Sequence, residues 1–332
     1  MKRKLLVIAF LGLFYQSCET DFDVVAPYKE TIVVNGLLNA IDSVQYIRVS
    51  KAFLGEGNAL IMAQNEDSIY YGDILDVTLK KITTNGNDSV FTLTRTELQT
   101  KDSGLFAFPK NIVYALSNRI MQDGSRYQIT VTNRETGVKA TSTTSIVRDM
   151  NVTSPIQNDS INLSNPPNTP YIIRFIPGAN SVFYDLIVRF NYREIDPNGN
   201  SVQKKIDWKL YAASLSSTEV VYTFFKYDFF RNIGQGIQDL PGYTRRIDSL
   251  TAGTWPIEIL CMAGSEDLQT YIQLNEPSSG IVQERPLFTT VDNGLGLFTS
   301  RIVHYLRRYP DALTQAAFDT SASTRDLNFE FN

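Results

Sequence analysis

Apolar and polar residues alternate along most of this chain with the two-residue period of β-strands. In the first half, 30–35 and 44–52 predict two strands joined by a short turn. Residues 75–94 predict a hairpin, because an Asn- and Gly-rich turn interrupts the alternation. A second hairpin is predicted over 127–147. Short strands separated by turns in this way indicate an immunoglobulin-like β-sandwich over residues 30–148.

The pattern lapses over residues 149–170 into Asn, Ser, Asp and Pro, which predicts a linker. It resumes in 171–332, where 182–194 and 203–212 predict another hairpin. The predicted fold class is therefore mainly β, with two β-sandwich-like domains.

One segment of the second domain has the signals of a short helix. Ser265 can cap its first turn, and the acids Glu266 and Asp267 suit the positive end of the helix dipole. Pro277 limits its extension.

Residues 1–17 have the layout of a signal peptide, with a basic start and a ten-residue apolar run that ends shortly before Cys18. The run is about half of the roughly 20 residues that a spanning helix needs. Ser17-Cys18 resembles the lipobox of bacterial lipoproteins, although Tyr15 stands where that motif has an aliphatic residue. We expect a palmitate-type lipid on Cys18 and a tether over 18–29; the alternative is an ordinary secretory peptide cut elsewhere.

The tether begins with three acids within Glu19-Thr20-Asp21-Phe22-Asp23. In Bacteroidetes this resembles the signal that sends lipoproteins to the outer face of the outer membrane. We therefore expect a lipid-anchored outer-membrane protein at the cell surface. A simple solvated tether is the alternative reading.

Composition removes several classes of function. A net charge of −4 and a pI near 5.2 argue against nucleic acid as a partner. The single histidine, His304, and two cysteines leave little for a zinc site or a catalytic triad, so no metal or cofactor is expected. Cys261 lies in an apolar run, which predicts a buried thiol, and His304 is expected to be structural.

A hydrolase would need paired carboxylates, for which Asp185 and Glu194 are the candidates.

The long connection over 54–67 is apolar in its middle. Loops of this length are often functional, so this one is the candidate for a contact with a partner. A flap that covers one end of the sandwich is the interpretation that the sequence favours. The candidate contact residues are Leu54, Leu60, Ile61 and Met62.

Several stretches resemble a Bacteroidetes lipoprotein family called domain of unknown function 4249. They are the stretches at 33–38, 51–59, 67–71, 283–288 and 293–298. The resemblance spans most of the mature chain and implies an outer-membrane lipoprotein, often encoded beside a TonB-dependent transporter. It implies no catalytic residues.

In the last stretch, Gly294 and Gly296 can take positive φ or permit close backbone approach, which predicts a structural closure pinned by neighbouring apolar residues.

Asp-Ser occurs six times, and in five cases an aliphatic residue follows. This resembles the acceptor motif of O-glycosylation on exported Bacteroidetes proteins. The alternative is turn chemistry before a strand, and both readings can hold. The candidate sites are Ser43, Ser68, Ser89, Ser160 and Ser249.

The leading functional hypothesis is a non-catalytic accessory or ligand-capture partner of a TonB-dependent transporter. The alternative is a stand-alone glycan- or surface-binding module, for which the aromatic stretch 222–230 offers rings that can stack on sugars. A carboxylate-based hydrolase is the third reading.

Overall fold

The strands of the first half follow the alternating pattern closely. The computed structural model describes residues 29–331 apart from 53–57, 84, 100–102, 118–120, 122–123, 157–159, 165–167, 217, 249 and 276–285. The first eight strands are β1 (Ile32–Asn39), β2 (Val44–Lys51), β3 (Leu75–Ile82), β4 (Ser89–Thr92), β5 (Thr94–Leu98), β6 (Asn111–Ser117), β7 (Arg126–Asn133) and β8 (Lys139–Ser145). Two short helices, α1 (Ala59–Ala63) and α2 (Glu66–Ile69), lie between β2 and β3.

The second half contains longer strands and longer helices. Its strands are β9 (Asn151–Ser154), β10 (Ser160–Ile161), β11 (Pro170–Ile176), β12 (Phe183–Ile195), β13 (Ser201–Leu210), β14 (Ala212–Leu215), β15 (Val220–Phe225), β16 (Thr244–Arg246), β17 (Ile257–Gly264), β18 (Leu295–Pro310) and β19 (Phe329–Glu330). Its helices are α3 (Lys226–Gly236), α4 (Glu266–Asn275), α5 (Ala312–Thr320) and a 3-10 turn at Arg325–Leu327.

The strands form one large sheet with a small sheet against each half. The large sheet has 11 strands in the order β19-β16-β12-β17-β18-β1-β2-β6-β5, with β13 beside β12 and β10 beside β18. The order β4-β3-β7-β8 forms one small sheet, and β14-β15-β11-β9 forms the other. Buried apolar side chains from all three sheets belong to one continuous core. The prediction of a mainly-β, sandwich-like fold is confirmed.

The longest strand, β18, carries the large sheet from one half of the chain into the other. Its first part pairs in parallel with β1, from Val33 opposite Leu295 to Asn39 opposite Arg301. Its second part pairs antiparallel with β17. The predicted linker 149–170 is not free of regular structure, because β9 pairs with β11 and β10 pairs with β18. The division of the chain into two domains at this segment stays a prediction.

Two glycines allow β18 to lie so close to β1. Gly296 has a φ of +112°, and a Cβ there would lie 2.1 Å from the carbonyl oxygen of Val34. At Gly294 a Cβ would lie 2.6 Å from the carbonyl oxygen of Ile32. Gly296 therefore shows both expected features and Gly294 shows the close backbone approach, and the nearby Phe298 is fully buried.

The predicted helix is confirmed as α4, and the Ser265 hydroxyl accepts a hydrogen bond from the Leu268 amide at 3.4 Å. The expectation of one helix in this half was incomplete. Residues 222–230 are rich in Tyr and Phe, which are common in strands, so the helix α3 was not predicted. This helix buries Phe229 and Ile233. The helix α5, capped by Asp311, was also missed.

Candidate functional site

The strands β1 to β8 form a sandwich that we call the N-terminal sandwich. Several connections meet at the end of this sandwich where β1 begins. Ile32 pairs with Lys51, so the start of β1 lies beside the end of β2. The connections that leave β2 and β5 share this end, because β1, β2, β6 and β5 are antiparallel neighbours and Leu98 pairs with Asn111. In the small sheet, Leu75 pairs with Asn133, which places the β7–β8 turn here too.

An exposed apolar surface, which we call the apolar tip, occupies this end. It consists of Leu60 and Ile61 from α1 and Leu105, Phe106 and Phe108 from the β5–β6 connection. Their exposed fractions are 54%, 70%, 55%, 42% and 53%, respectively. The two segments are joined by a hydrogen bond from the Ala107 amide to the Ala63 carbonyl at 2.9 Å. The apolar tip is therefore one surface built from two connections.

Contacts underneath hold the apolar tip in place. Ile69, Tyr70, Ala107 and Ile112 form a small buried cluster. The Tyr70 hydroxyl donates to the carbonyl oxygen of Lys110 at 3.0 Å. The Lys110 ammonium lies 3.0 Å from Glu66, which ties the β5–β6 connection to α2. These contacts fix the positions of the two connections that carry the exposed apolar side chains.

The sequence identified only part of this surface. Leu60 and Ile61 are exposed as a partner contact requires, Met62 is half-buried, and Leu54 lies outside the described residues. The sequence analysis missed the contribution of 105–108, where three large apolar residues precede Pro109. The sequence did offer a signal for this segment, namely an apolar run that lies outside any strand pattern.

Glu30 fixes the incoming chain to the same end. Its carboxylate accepts hydrogen bonds from the Asn133 amide group at 2.7 Å and from the Thr136 hydroxyl at 2.6 Å. Burial opposes ionisation, but the hydrogen bonds outweigh it, so the pKa of Glu30 is lowered. The start of the described chain is therefore held to this end of the fold by side-chain hydrogen bonds.

A polar groove lies at the opposite end of the N-terminal sandwich. It is formed by two adjoining cavities of about 280 Å³ and 720 Å³, which share Arg126, Ser145 and Asn180. Arg126 begins β7 and Ser145 ends β8, and the two are paired. The groove is thus as far from the apolar tip as the strands allow.

The groove is lined by side chains of both charges. Arg126 lines it together with Glu266 and Asp267 from the start of α4, and Thr143 and Ser265 add hydroxyl groups. Among the described residues, no ion pair neutralises these three charged groups. Burial and then the neighbouring Glu266 raise the pKa of Asp267. The polar groups of this groove can form hydrogen bonds with a small ligand that carries hydroxyl or charged groups.

The carboxylates predicted for a hydrolase do not form a site. Asp185 and Glu194 lie nine residues apart on the single strand β12, a separation of about 30 Å at roughly 3.3 Å per residue. Asp185 pairs with Lys209 at 2.9 Å, and Glu194 contacts Lys204 and Arg245. The prediction that these two carboxylates could act as a pair was wrong, because the extended strand holds them too far apart.

The histidine and the free cysteine occupy structural positions. The Nδ1 atom of His304 lies 3.2 Å from both carboxylate oxygens of Asp149. Cys261 is fully buried, and this burial raises its pKa to about 12, which leaves the thiol protonated and unreactive. Within the described part of the chain, no three ligating side chains converge to hold a metal ion.

The aromatic stretch 222–230 mostly faces the core. Tyr222, Phe224, Phe229 and Phe230 are buried. Phe225 and Tyr227 are exposed, and their rings stack at 6.3 Å. The surface that a sugar would meet here is therefore small.

Four of the candidate glycosylation sites lie within the described residues. Ser43, Ser89 and Ser160 are exposed at or just before the start of a strand, and Ser68 is half-buried in α2. Ser249 lies outside the described residues, as does Cys18. Turn chemistry is present in one case, since the Asp88 carboxylate accepts from the Thr83 amide at 2.9 Å. Modification of these serines stays a prediction.

Comparison with known proteins gives no indication of function, which must be argued from the residues of this chain. No protein-family model matches the chain. No match was found among curated proteins either. None of the helices in the described part of the chain has the length and apolarity to span a bilayer.

Proposed function

We propose that this chain is a lipid-anchored outer-membrane lipoprotein that captures a small polar ligand, without catalysis, beside a TonB-dependent transporter. The lipid is on Cys18, and residues 18–29 form the tether. The signal-peptide layout and the resemblance to an outer-membrane lipoprotein family support the anchor.

The observation that carries the ligand-capture part is the position of the polar groove. It lies at the end of the sandwich opposite Glu30, where the tether joins the fold. The eight residues of β3 connect the two ends and span about 25 Å. A tethered molecule therefore holds its groove toward the surrounding medium, where a ligand arrives.

The transporter is proposed because of confinement to one membrane. A lipid restricts the chain to the plane that contains outer-membrane transporters, and this raises their effective concentration, so that a weak contact suffices. The capture of a polar ligand and its release to a neighbouring transporter require no covalent chemistry.

A stand-alone glycan-binding module is the second candidate. The stacked and exposed pair Phe225 and Tyr227 favours it, because aromatic faces stack on sugar rings. The small size of this surface places it behind the groove.

The test is mild crosslinking in intact cells, followed by mass spectrometry of the captured partners. We expect a TonB-dependent transporter to be enriched over an unrelated lipoprotein control. In parallel, Cys18→Ala should abolish incorporation of radiolabelled palmitate. Incorporation that persists in this variant contradicts the anchor, and capture without transporter enrichment moves the glycan-binding reading ahead.

A further inference from the structure

We infer that the apolar tip docks against the lipid bilayer that holds the Cys18 anchor, with Leu60, Ile61, Leu105, Phe106 and Phe108 at the headgroup–acyl boundary. The inference rests on the proposed function, since it requires the lipid. It goes further because it assigns a membrane-facing side to the folded part of the chain.

The first argument is the reach and attachment point of the tether. Lys29 follows Cys18 by 11 residues, and an extended chain covers at most about 3.6 Å per residue, or about 40 Å in all. The tether joins the fold at the tip end, where the Ala52 amide donates to the Thr31 carbonyl at 3.0 Å. The end of the molecule held nearest to the bilayer is therefore the end that displays the exposed apolar side chains.

The second argument is the chemistry of the surface. Its five side chains are aliphatic or aromatic, and they project from connections beyond the ends of the strands. Side chains of these types, displayed on one side of a structure, enter the boundary between headgroups and acyl chains. An exposed apolar surface of this kind in a soluble fold marks a contact with protein or membrane, and the bilayer is the surface always within reach of the tether.

The third argument is that two described lysines beside the apolar tip already contact other groups. Lys110 pairs with Glu66 at 3.0 Å, and the Lys51 ammonium donates to the Asp67 carbonyl at 2.8 Å. Because Glu66 balances the charge of Lys110, we expect attraction to anionic headgroups to contribute less than apolar insertion. We expect docking to depend on apolar insertion and to change little with salt.

The experiment uses the full lipidated chain in vesicles of phosphatidylethanolamine and phosphatidylglycerol that contain doxyl-labelled phosphatidylcholine. A bimane fluorophore is attached to one introduced cysteine, in Ile61→Cys, Phe106→Cys or the control Asn87→Cys. Asn87 is exposed in the β3–β4 turn at the groove end. The native Cys261 does not compete for the label, because it is buried and its pKa is raised to about 12.

The expected result is loss of bimane fluorescence at both tip positions and retention at the control position, at low and at high salt. In the double variant Ile61→Asp and Phe106→Asp, a probe in Leu105→Cys should escape quenching although the protein still floats with the vesicles. All of these positions are exposed, so the substitutions do not disturb the core.

Three outcomes would overturn the inference. The first is that the protein floats with the vesicles but its tip probes are quenched no more than the control probe. The second is that the tip probes become shielded only when a TonB-dependent transporter is added, which assigns the tip to that protein. The third is shielding that rises with protein density, which assigns it to a second copy. A chain that lacks lipid on Cys18 and does not float contradicts the proposed function together with the inference.

Discussion

At the scale of single residues, Glu30 links the start of the fold to the β7–β8 turn through Asn133 and Thr136. We expect Glu30→Gln to lower the free energy of unfolding by about 1 kcal/mol at neutral pH, since hydrogen bonds to a carboxylate are lost. Urea unfolding of Glu30→Gln and of Glu135→Gln, an exposed acid in the same turn, measures this effect.

The same carboxylate gives a prediction for pH. Hydrogen bonds from Thr136 and Asn133 outweigh burial and lower the pKa of Glu30 below its ordinary 4.5. Its stabilisation is therefore fully present above the unfolded-state pKa and is lost as pH falls through the folded-state pKa. Urea unfolding from neutral pH to about pH 3 should show the wild type and Glu30→Gln converging. A difference that persists undiminished in acid contradicts this reading.

At Gly296 even a single methyl group should destabilise the fold. A methyl group there meets the Val34 backbone at 2.1 Å, and the φ of +112° disfavours any side chain. We expect Gly296→Ala to cost about 3 kcal/mol or more of unfolding free energy. The control is Gly72→Ala, where a Cβ meets nothing within 4 Å. Equal midpoints for the two variants in thermal unfolding would be incompatible with the tight β1–β18 contact.

At the scale of elements, a buried arginine joins β16 to the C-terminal segment. Arg245 is fully buried, donates to the carbonyl oxygens of Leu327 and Gln238 at 2.8 Å each, and lies 3.4 Å from Glu194. We expect Arg245→Met to cost about 3 kcal/mol, because Glu194 would lose a buried partner.

Its neighbour supplies the control. Arg246 is half-buried and pairs with Asp248 at 2.7 Å, so Arg246→Met should cost less than about 1 kcal/mol. Urea denaturation of both variants separates the two sites. A smaller loss for Arg245→Met than for Arg246→Met would show that the buried pair stabilises little.

Elements with a local signal were predictable, and elements defined by distant partners were not. The β7–β8 hairpin and the β12–β13 hairpin follow from alternation and turn residues. The helix α3 was hidden because burial of its aromatic residues depends on packing against distant phenylalanines, such as Phe190 and Phe318. Similarly, nothing local shows that β18 lies between β1 and β17.

The candidate sites follow the same division. Leu60 and Ile61 were identified because their connection is long and apolar. Phe106 and Phe108 join them only because antiparallel pairing brings two connections to one end. The groove was missed because Arg126 and Asp267 lie far apart in the chain, and each has an ordinary neighbourhood there.

At the scale of the whole molecule, the shared sheet gives a prediction for cleavage. We expect limited proteolysis to cut first within 149–170, where Ile156 is 84% exposed. The two fragments should stay together in size-exclusion chromatography, because β18 from the second fragment pairs with β1 from the first. They should separate only in denaturant. An early cut within β7, or fragments that separate in native buffer, would contradict this prediction.

The pairing of β1 with β18 also determines when this chain can finish folding. One of the first strands to be synthesised must stay without one neighbour until one of the last arrives, and the buried Phe298 arrives with it. Pairings over such sequence separations form slowly, because much chain must be ordered before they are reached. In a protein that is exported as proposed, this delay favours export. The precursor cannot close its core while its C-terminal part is still being made, so the chain stays unfolded enough to pass through an export channel.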